Sequence, residues 1–422
     1  MPHWGSPLIS SAVFNSLHSS VRKVLFTPSV RAATAFGFGG IGFAIANILL
    51  AKYLDATEFG VLSLLLAFNQ LGYSFGPAGI DLIVNRYKAR VTPLLALRVV
   101  ISTCLVAGIS WLLVVSLYDV NTLLAACLAL MILGSSVNRI GAAFYRAHQR
   151  FGVSLALVQI HNYVLLLAVP LALWFDWVSP VFVVIVAASA YLLTAVIGWL
   201  GAHNQFADEG VTIGAYAFFG ESLIGMGVTA APVVLMQAER FLIPQLLSYE
   251  QLAIFGLLAA VVGAPYRMLQ IGIGYTLLPR LRAADSRRVA LTLMRSELRI
   301  ALLLSLLVTV AVLLGGPLIF IYFLDAKYNI GWTLILATVL IGYIKIWQSI
   351  VVTSVSALGT LNDLKLMNLN SWIALLIAVI GAWGLSSMGL LGIICGVGLA
   401  WTWRCVVGLV LIRRILATKW RS

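Results

Sequence analysis

The chain has 422 residues, of which 62% are hydrophobic and only 10% charged, with a net charge of +13. Its mean hydropathy is +1.04, far outside the range of soluble globular domains. These values exclude a soluble nucleic-acid-binding protein despite the positive balance, and apolar stretches of about 20 residues, enough to cross a bilayer, recur along the whole length.

Residues 1–30 are mixed, with Pro2, Pro7, Pro28 and the pair Arg22–Lys23. They lack a compact apolar core ending in small residues, and so read as a cytoplasmic tail and not as a signal peptide. Span one, about Arg31–Tyr53, places Ala33, Gly37, Gly40, Ala44, Asn47 and Ala51 on one face. Such a stripe admits another helix closely; the alternative is a cavity border with Asn47 exposed to it. Asp55 to Phe59 forms a capping-box pattern that opens span two, about Glu58–Val84, with Gly76-Pro77 as a break. Its polar face of Ser63, Ala67, Gln70, Ser74, Ala78, Asp81 and Asn85 suits a cavity wall, or else hydrogen bonding between helices.

Spans three and four follow at about Leu94–Leu117 and Asn121–Tyr145, the latter carrying Asn138 and Arg139. Arg139 is near enough to the basic turn Arg146–Arg150 to snorkel. Spans five and six run over about Val153–Phe175 and Val178–Gly201, with His161 and Asn162 near the middle of span five. A lone histidine there reads as a hydrogen-bonded core residue before a proton carrier.

Span seven, Ala217–Leu247, contains Pro232 and the adjacent pair Glu239–Arg240. A proline inside a helix tends to kink it. Charges in hydrocarbon cost roughly 2.5–3.5 kcal/mol each and usually face a wet cavity, although such a pair can also serve only to hold neighbouring helices. Span eight, about Leu252–Leu278, aligns Gly256, Ala260, Gly263, Arg267, Gln270 and Gly274, with Arg267 too deep to snorkel. The basic linker Arg280–Arg299 leads to span nine at about Ile300–Phe323. Span ten, about Gly331–Leu358, shows Thr338, Gly342, Lys345, Ser349 and Ser356 on one stripe. Spans eleven and twelve cover about Leu366–Leu385 and Gly389–Ile412, and no cysteine spacing suggests a metal.

Twelve spans put both termini on one side, and the positive-inside rule makes that side cytoplasmic. Arg86–Arg90, Arg146–Arg150, Arg280–Arg299 and Lys365 fall there, whereas the opposite turns hold only Lys52 and Lys327. The connection near Asp208 and Glu209 lacks Lys or Arg. The expected organisation is a tail at 1–30, an N-lobe at 31–202, a linker at 203–216, a C-lobe at 217–412 and a basic tail at 413–422. Leu54-Asp-Ala-Thr-Glu-Phe-Gly60 and Leu247-Ser-Tyr-Glu-Gln-Leu-Ala253 occupy matching places between the first two spans of each half, as in a parallel repeat. The fold expected is thus all-α and polytopic, with about twelve transmembrane helices in two pseudo-symmetric six-helix lobes around a central cavity.

The stretch NILLAKYLDATEFGVLSLLLAFNQL resembles the first-to-second-helix region of polysaccharide and lipid-linked oligosaccharide exporters in the multidrug, oligosaccharidyl-lipid and polysaccharide flippase superfamily. AERFLIPQLLSYEQLAIFGLLAAV resembles the seventh-to-eighth-helix region, where that family commonly shows an acid followed by arginine. Glu239 and Arg240 stand at those positions, with Glu where Asp is more usual. The resemblance implies an O-antigen-flippase-like carrier in a bacterial inner membrane, moving a lipid-pyrophosphate-linked oligosaccharide outward for polysaccharide or lipopolysaccharide assembly. A proton or Na⁺ gradient would drive it as an antiporter, glycan-assembly enzymes would be its partners, and no cofactor, metal or nucleic acid is implied.

The residues fit such a carrier. Glu239 and Arg240 are the ion-coupling candidates. Arg267, Lys345 and Arg139 are candidates for the pyrophosphate, since Arg and Lys bind phosphate through charge-assisted hydrogen bonds. Gln70, Asn47, Gln270, Gln348 and Tyr343 are candidates for the sugars. One rival is a multidrug cation exporter of the same superfamily, which favours an acidic cavity. The other is a membrane-embedded glycan polymerase, ligase or acyltransferase, against which the scattered acids of the short outward turns speak.

Overall fold

The computed structural model describes residues 28–206, 211 and 215–419. The tail through Thr27, the acids Asp208 and Glu209, and Arg421 lie outside the described residues. The fold is all-helical, and among the described residues the only β-type pairing is an isolated bridge between Ala89 and Val211.

Twelve rods account for the twelve expected spans. The first six are α1 (Pro28–Tyr53), the bent pair α2 (Ala56–Phe75) and α3 (Ile80–Tyr87), α4 (Pro93–Tyr118), α5 (Thr122–Ala147), α6 (Phe151–Trp174) and α7 (Pro180–Phe206). The seventh is α8 (Ala215–Met236) with α9 (Ala238–Leu246), and the eighth is α10 (Tyr249–Leu258) with α11 (Ala264–Arg282). The last four are α12 (Arg287–Leu318), α13 (Trp332–Leu358), α14 (Leu361–Leu385) and α15 (Gly389–Thr418). Taken singly, eight helical stretches among the described residues are long and apolar enough to cross a membrane, or nine with the bent pair as one span. One of them, Leu361–Thr418, is a hairpin of two spans. It turns at Gly389, where φ is +66°, and α14 packs along α15. At their crossing Gly381 faces Gly396, and a Cβ on either would strike the other's backbone.

The breaks follow from local chemistry. Span two bends by 45° at Gly76-Pro77, where Ala78 and Gly79 both take positive φ. Span seven runs through Pro232 without stopping and breaks at Gln237 instead. A π turn at Ala259–Gly263 adds one residue to the eighth rod, and such bulges re-aim the residues that follow them. The basic stretch Arg280–Arg299, expected as a linker, is mostly helical: α11 reaches Arg282 and α12 begins at Arg287. Its charges are accommodated because Arg280 donates to the buried Glu297 at 3.0 Å, while Arg282 at the end of α11 and Arg287, Arg288, Arg295 and Arg299 on α12 are exposed.

The helix pairings repeat between the lobes. In the first half α1 packs on α6, α2 on α5, α4 on α5, α5 on α7 and α6 on α7. In the second half the corresponding contacts are α8 on α14, α11 on α13, α12 on α13, α13 on α15 and α14 on α15. Two six-span lobes related in this way meet through α1 against α11 and α2 against α10.

The two matched segments, 54–60 and 247–253, meet at this interface. Glu58 accepts from the Asp55 N–H at 3.2 Å, Ser248 caps α10 by accepting from Gln251 N–H at 3.4 Å, and Thr57 donates to Glu250 across the lobes at 2.7 Å. Gly60 is required there, since a Cβ would strike the Tyr249 carbonyl. Around them lies a pair of related clamps. Tyr118, ending the third span, donates to the Phe241 carbonyl at 3.1 Å. Tyr328, following the ninth, donates to the Ala51 carbonyl at 2.9 Å. Lys327 also donates to the Ala51 and Leu54 carbonyls, a cation at the negative end of α1 where the helix dipole favours it. This end of the bundle, opposite the basic connections, is therefore laced shut.

Candidate functional site

A cavity of about 350 Å³ lies between the lobes, lined from both. Gly40, Phe43, Gln70, Tyr73, Gln159, His161, Asn162 and Tyr191 form the N-lobe wall. The C-lobe wall includes Gln237, Glu239, Arg240, Tyr266, Arg267, Gln270, Thr338, Lys345 and Trp401. Six of the ten residues singled out from the sequence are thus brought together: Gln70, Glu239, Arg240, Arg267, Gln270 and Lys345.

Each is positioned by a feature of its own helix. The break at Gln237 leaves Glu239 in the first turn of α9, where unpaired N–H groups and the dipole favour a carboxylate. Glu239 is buried, at 3% exposure, and its Oε1 lies 3.5 Å from Lys345 Nζ on α13. Lys345 also sits 5.0 Å from the centroid of the Trp401 ring, within range of a cation–π contact. Arg240 donates to Gln237 Oε1 at 3.0 Å, while its buried Nε has no hydrogen-bond partner. Arg267 follows the π turn on the eighth rod. Gln270 donates to the Lys345 carbonyl at 3.2 Å, and Ser349 donates to the Gln270 carbonyl at 3.0 Å. These two bonds fix α11 against α13 and so set the spacing of the cationic wall. A satellite recess of about 40 Å³ adjoins the main cavity between Gln70, His161 and Tyr191 on one side and Gln237, Arg240 and Arg267 on the other.

The other four candidates lie off the cavity. Arg139 donates to Asp81 at 2.8 Å and to the Tyr73 carbonyl at 3.2 Å. It neutralises a carboxylate that is only 5% exposed, and so serves the join of α3 and α5. Asn47 gives its amide to the Phe43 carbonyl one turn back on its own helix, at 2.8 Å. The small stripe of α1 packs against the other lobe, where a Cβ at Gly40 would meet the Met268 side chain, and it also borders the cavity through Gly40. Gln348 is buried, at 4% exposure. Tyr343 shares the Thr309 hydroxyl at 2.9 Å with Tyr266, which meets it at 2.7 Å, and so points toward α12. Lys345 finds its acidic partner, Glu239, on another helix.

One buried cation escaped the sequence reading. Arg404 on α15 is 5% exposed; it donates from Nε to Ser371 Oγ at 3.0 Å and lies over the Trp401 ring, 5.6 Å from its centroid. The criterion that picked out Arg267, a cation far from both ends of an apolar span, applies to it equally.

No family model matches the sequence, and no curated protein matches it. Solved structures do. An inward-facing multidrug-resistance MATE family transporter superposes with a TM-score of 0.64 at 13% identity, covering 91% of this chain and 96% of that one. The chain has the fold of MOP-superfamily transporters. The lipid II flippase MurJ, in an inward closed conformation, gives 0.64 at 13% identity over 92% of this chain and 88% of that one. A MOP-superfamily transporter from Pyrococcus furiosus, described by the reverse polarity of its binding pocket, gives 0.56 at 14% identity over 94% and 96%.

Proposed function

We propose that this protein is a MOP-fold flippase that carries a lipid-pyrophosphate-linked oligosaccharide from the cytoplasmic to the outer leaflet of a bacterial inner membrane, by ion-coupled alternating access. The observation that carries the reading is the sign of the cavity: among the described residues, Arg240, Arg267 and Lys345 line it against the one carboxylate of Glu239. Clustered cations in a poorly solvated site are costly unless an anion joins them, and a pyrophosphate supplies that anion. Glu239 holds Lys345 in its absence and is the group through which a proton or Na⁺ would act. In this reading the basic end is cytoplasmic, the clamped end is the outer gate, and glycan-assembly enzymes supply and consume the substrate.

A multidrug cation exporter shares the fold and remains the second reading, favoured by the carboxylate of Glu239 within the cavity. A cationic drug would have to displace Lys345 from it and sit beside two arginines. Deletion of the gene separates the readings. Lipid-linked oligosaccharide accumulating on the inner leaflet supports the flippase; normal glycan export with heightened sensitivity to cationic compounds supports the exporter. Flipped but unpolymerised or unattached glycan outside would instead indicate an enzyme.

A further inference from the structure

The two walls of the cavity differ in chemistry. Among the described lining residues, all four with a full charge, Glu239, Arg240, Arg267 and Lys345, belong to the C-lobe. The N-lobe wall carries amides and rings instead. Nothing about the fold requires this division, because the helix pairings of the two lobes repeat.

The N-lobe wall is also preorganised. The His161 ring stacks on Tyr191 at 4.9 Å with a 22° interplanar angle. Behind it a buried chain holds Tyr191: its hydroxyl meets Asn69 Nδ2 at 3.5 Å, and Asn69 Oδ1 accepts from Ser135 at 3.0 Å. Asn162 donates to Gln159 Oε1 at 2.6 Å, leaving each amide with unused donor or acceptor capacity. His161 itself lines the cavity, its ring presented to it by the stack on Tyr191.

Resting on the proposed function, we infer that this wall is a carbohydrate subsite, which grips the sugar next to the pyrophosphate while the C-lobe wall grips the anion. Sugar hydroxyls are neutral and act as donors and acceptors together. They pair with amides that do both, and they gain little from a fixed charge that would stand unpaired whenever the site was empty. The hydrocarbon face of a sugar ring lies well on flat rings such as His161, Tyr191 and Tyr73. At about 350 Å³ the cavity is near the lower end of the roughly 300–1,000 Å³ usual for ligand sites. It therefore encloses the headgroup at the lipid junction and not a whole oligosaccharide. A glycan-bearing carrier bridges both lobes, whereas the bare carrier lipid engages only one, so the protein distinguishes loaded from unloaded carrier.

The test compares two probes on the purified full-length protein: the polyprenyl-pyrophosphate-linked glycan extracted from the cells that make it, and polyprenyl pyrophosphate without glycan. Wild type should bind the glycan-bearing lipid at least tenfold more tightly. Gln70→Leu, at a half-buried position, should reduce that ratio about tenfold. His161→Phe, which keeps the stacked ring and removes the nitrogen, should reduce it about threefold. Arg267→Ala should weaken both probes alike and leave the ratio standing. Equal affinity of wild type for the two probes, or a ratio unmoved in both Gln70→Leu and His161→Phe with cooperative melting retained, overturns the subsite while leaving the flippase reading intact. Failure of wild type to bind either probe overturns that reading and the inference with it.

Discussion

Under the proposed function, replacing Glu239 with Gln should separate binding from transport. The substitution keeps shape and removes the charge that lies 3.5 Å from Lys345. Two unit charges at that distance attract by about 5 kcal/mol at an effective dielectric of about 20. Lys345 keeps 26% of its side chain accessible and Glu239 only 4%, so solvent screens part of this, and only a fraction is returned to an incoming anion. If a third is recovered, the gain is about 1.5 kcal/mol, or roughly tenfold in affinity. Glu239→Gln should therefore bind the pyrophosphate-bearing lipid about tenfold more tightly than wild type, yet fail to move it in response to a proton or Na⁺ gradient. Equilibrium binding on purified protein and gradient-driven transport in proteoliposomes read the two effects separately. Wild-type affinity together with wild-type transport, at normal expression, would refute the reasoning and return the pair to a structural tie.

Arg267→Ala combined with Lys345→Ala should weaken lipid binding at least a hundredfold while the protein still melts cooperatively. Arg267→Lys should retain part of the affinity, because the charge survives but the planar fork does not; binding titrations decide both. Arg139→Ala should behave oppositely, since it strands the buried Asp81: stability should fall by about 3 kcal/mol, visible as a lower melting temperature, with the affinity of the folded fraction little changed. Tyr118→Phe with Tyr328→Phe removes two cross-lobe hydrogen bonds of about 1 kcal/mol each. It should shift the protein toward opening at the clamped end, read as slower cross-linking between cysteines placed at Thr57 and Glu250. A cysteine at Ser286, in a background lacking the four native cysteines, should react with an impermeant reagent only after the cells are permeabilised.

Much of the fold was legible because its signals are local. Hydrophobic run length gave twelve rods, and Asp55 to Glu58 and Ser248 to Gln251 announced the matched helix starts that the structure brings into contact through Thr57 and Glu250. Gly76-Pro77 marked a break where the chain does bend. The site was legible only in part, because which face of a helix meets a cavity depends on its neighbours. Asn47 shares the small-residue stripe of span one in sequence but spends its amide on its own Phe43 carbonyl. Tyr343 lies two residues from Lys345 and points instead to Thr309. The π turn before Arg267 and the break at Gln237 carry no distinctive residue pattern, yet they aim the charged wall. Arg404 was legible by depth alone, while its contacts with Ser371 and Trp401 were not.

Under the proposed function, the symmetry of the scaffold and the asymmetry of the cavity together constrain how such a carrier would work. Glu239 and Lys345 both belong to the C-lobe, on α9 and α13, so rocking the lobes as rigid bodies leaves their separation unchanged. Motion alone does not break the pair; an anion competing for Lys345 or a cation competing for Glu239 must do so. The clamps behave differently, because Tyr118 to Phe241 and Tyr328 to Ala51 cross between lobes and must part when the closed end opens. A substrate that contacts both walls is sensitive to that motion, since Gln70 and Arg267 separate as the lobes turn. Pair exchange inside one lobe and clamp release between lobes are thus separate steps. A substrate with both an anion and a sugar is the kind of ligand that ties them together, because its anion acts on the first and its span across the walls acts on the second.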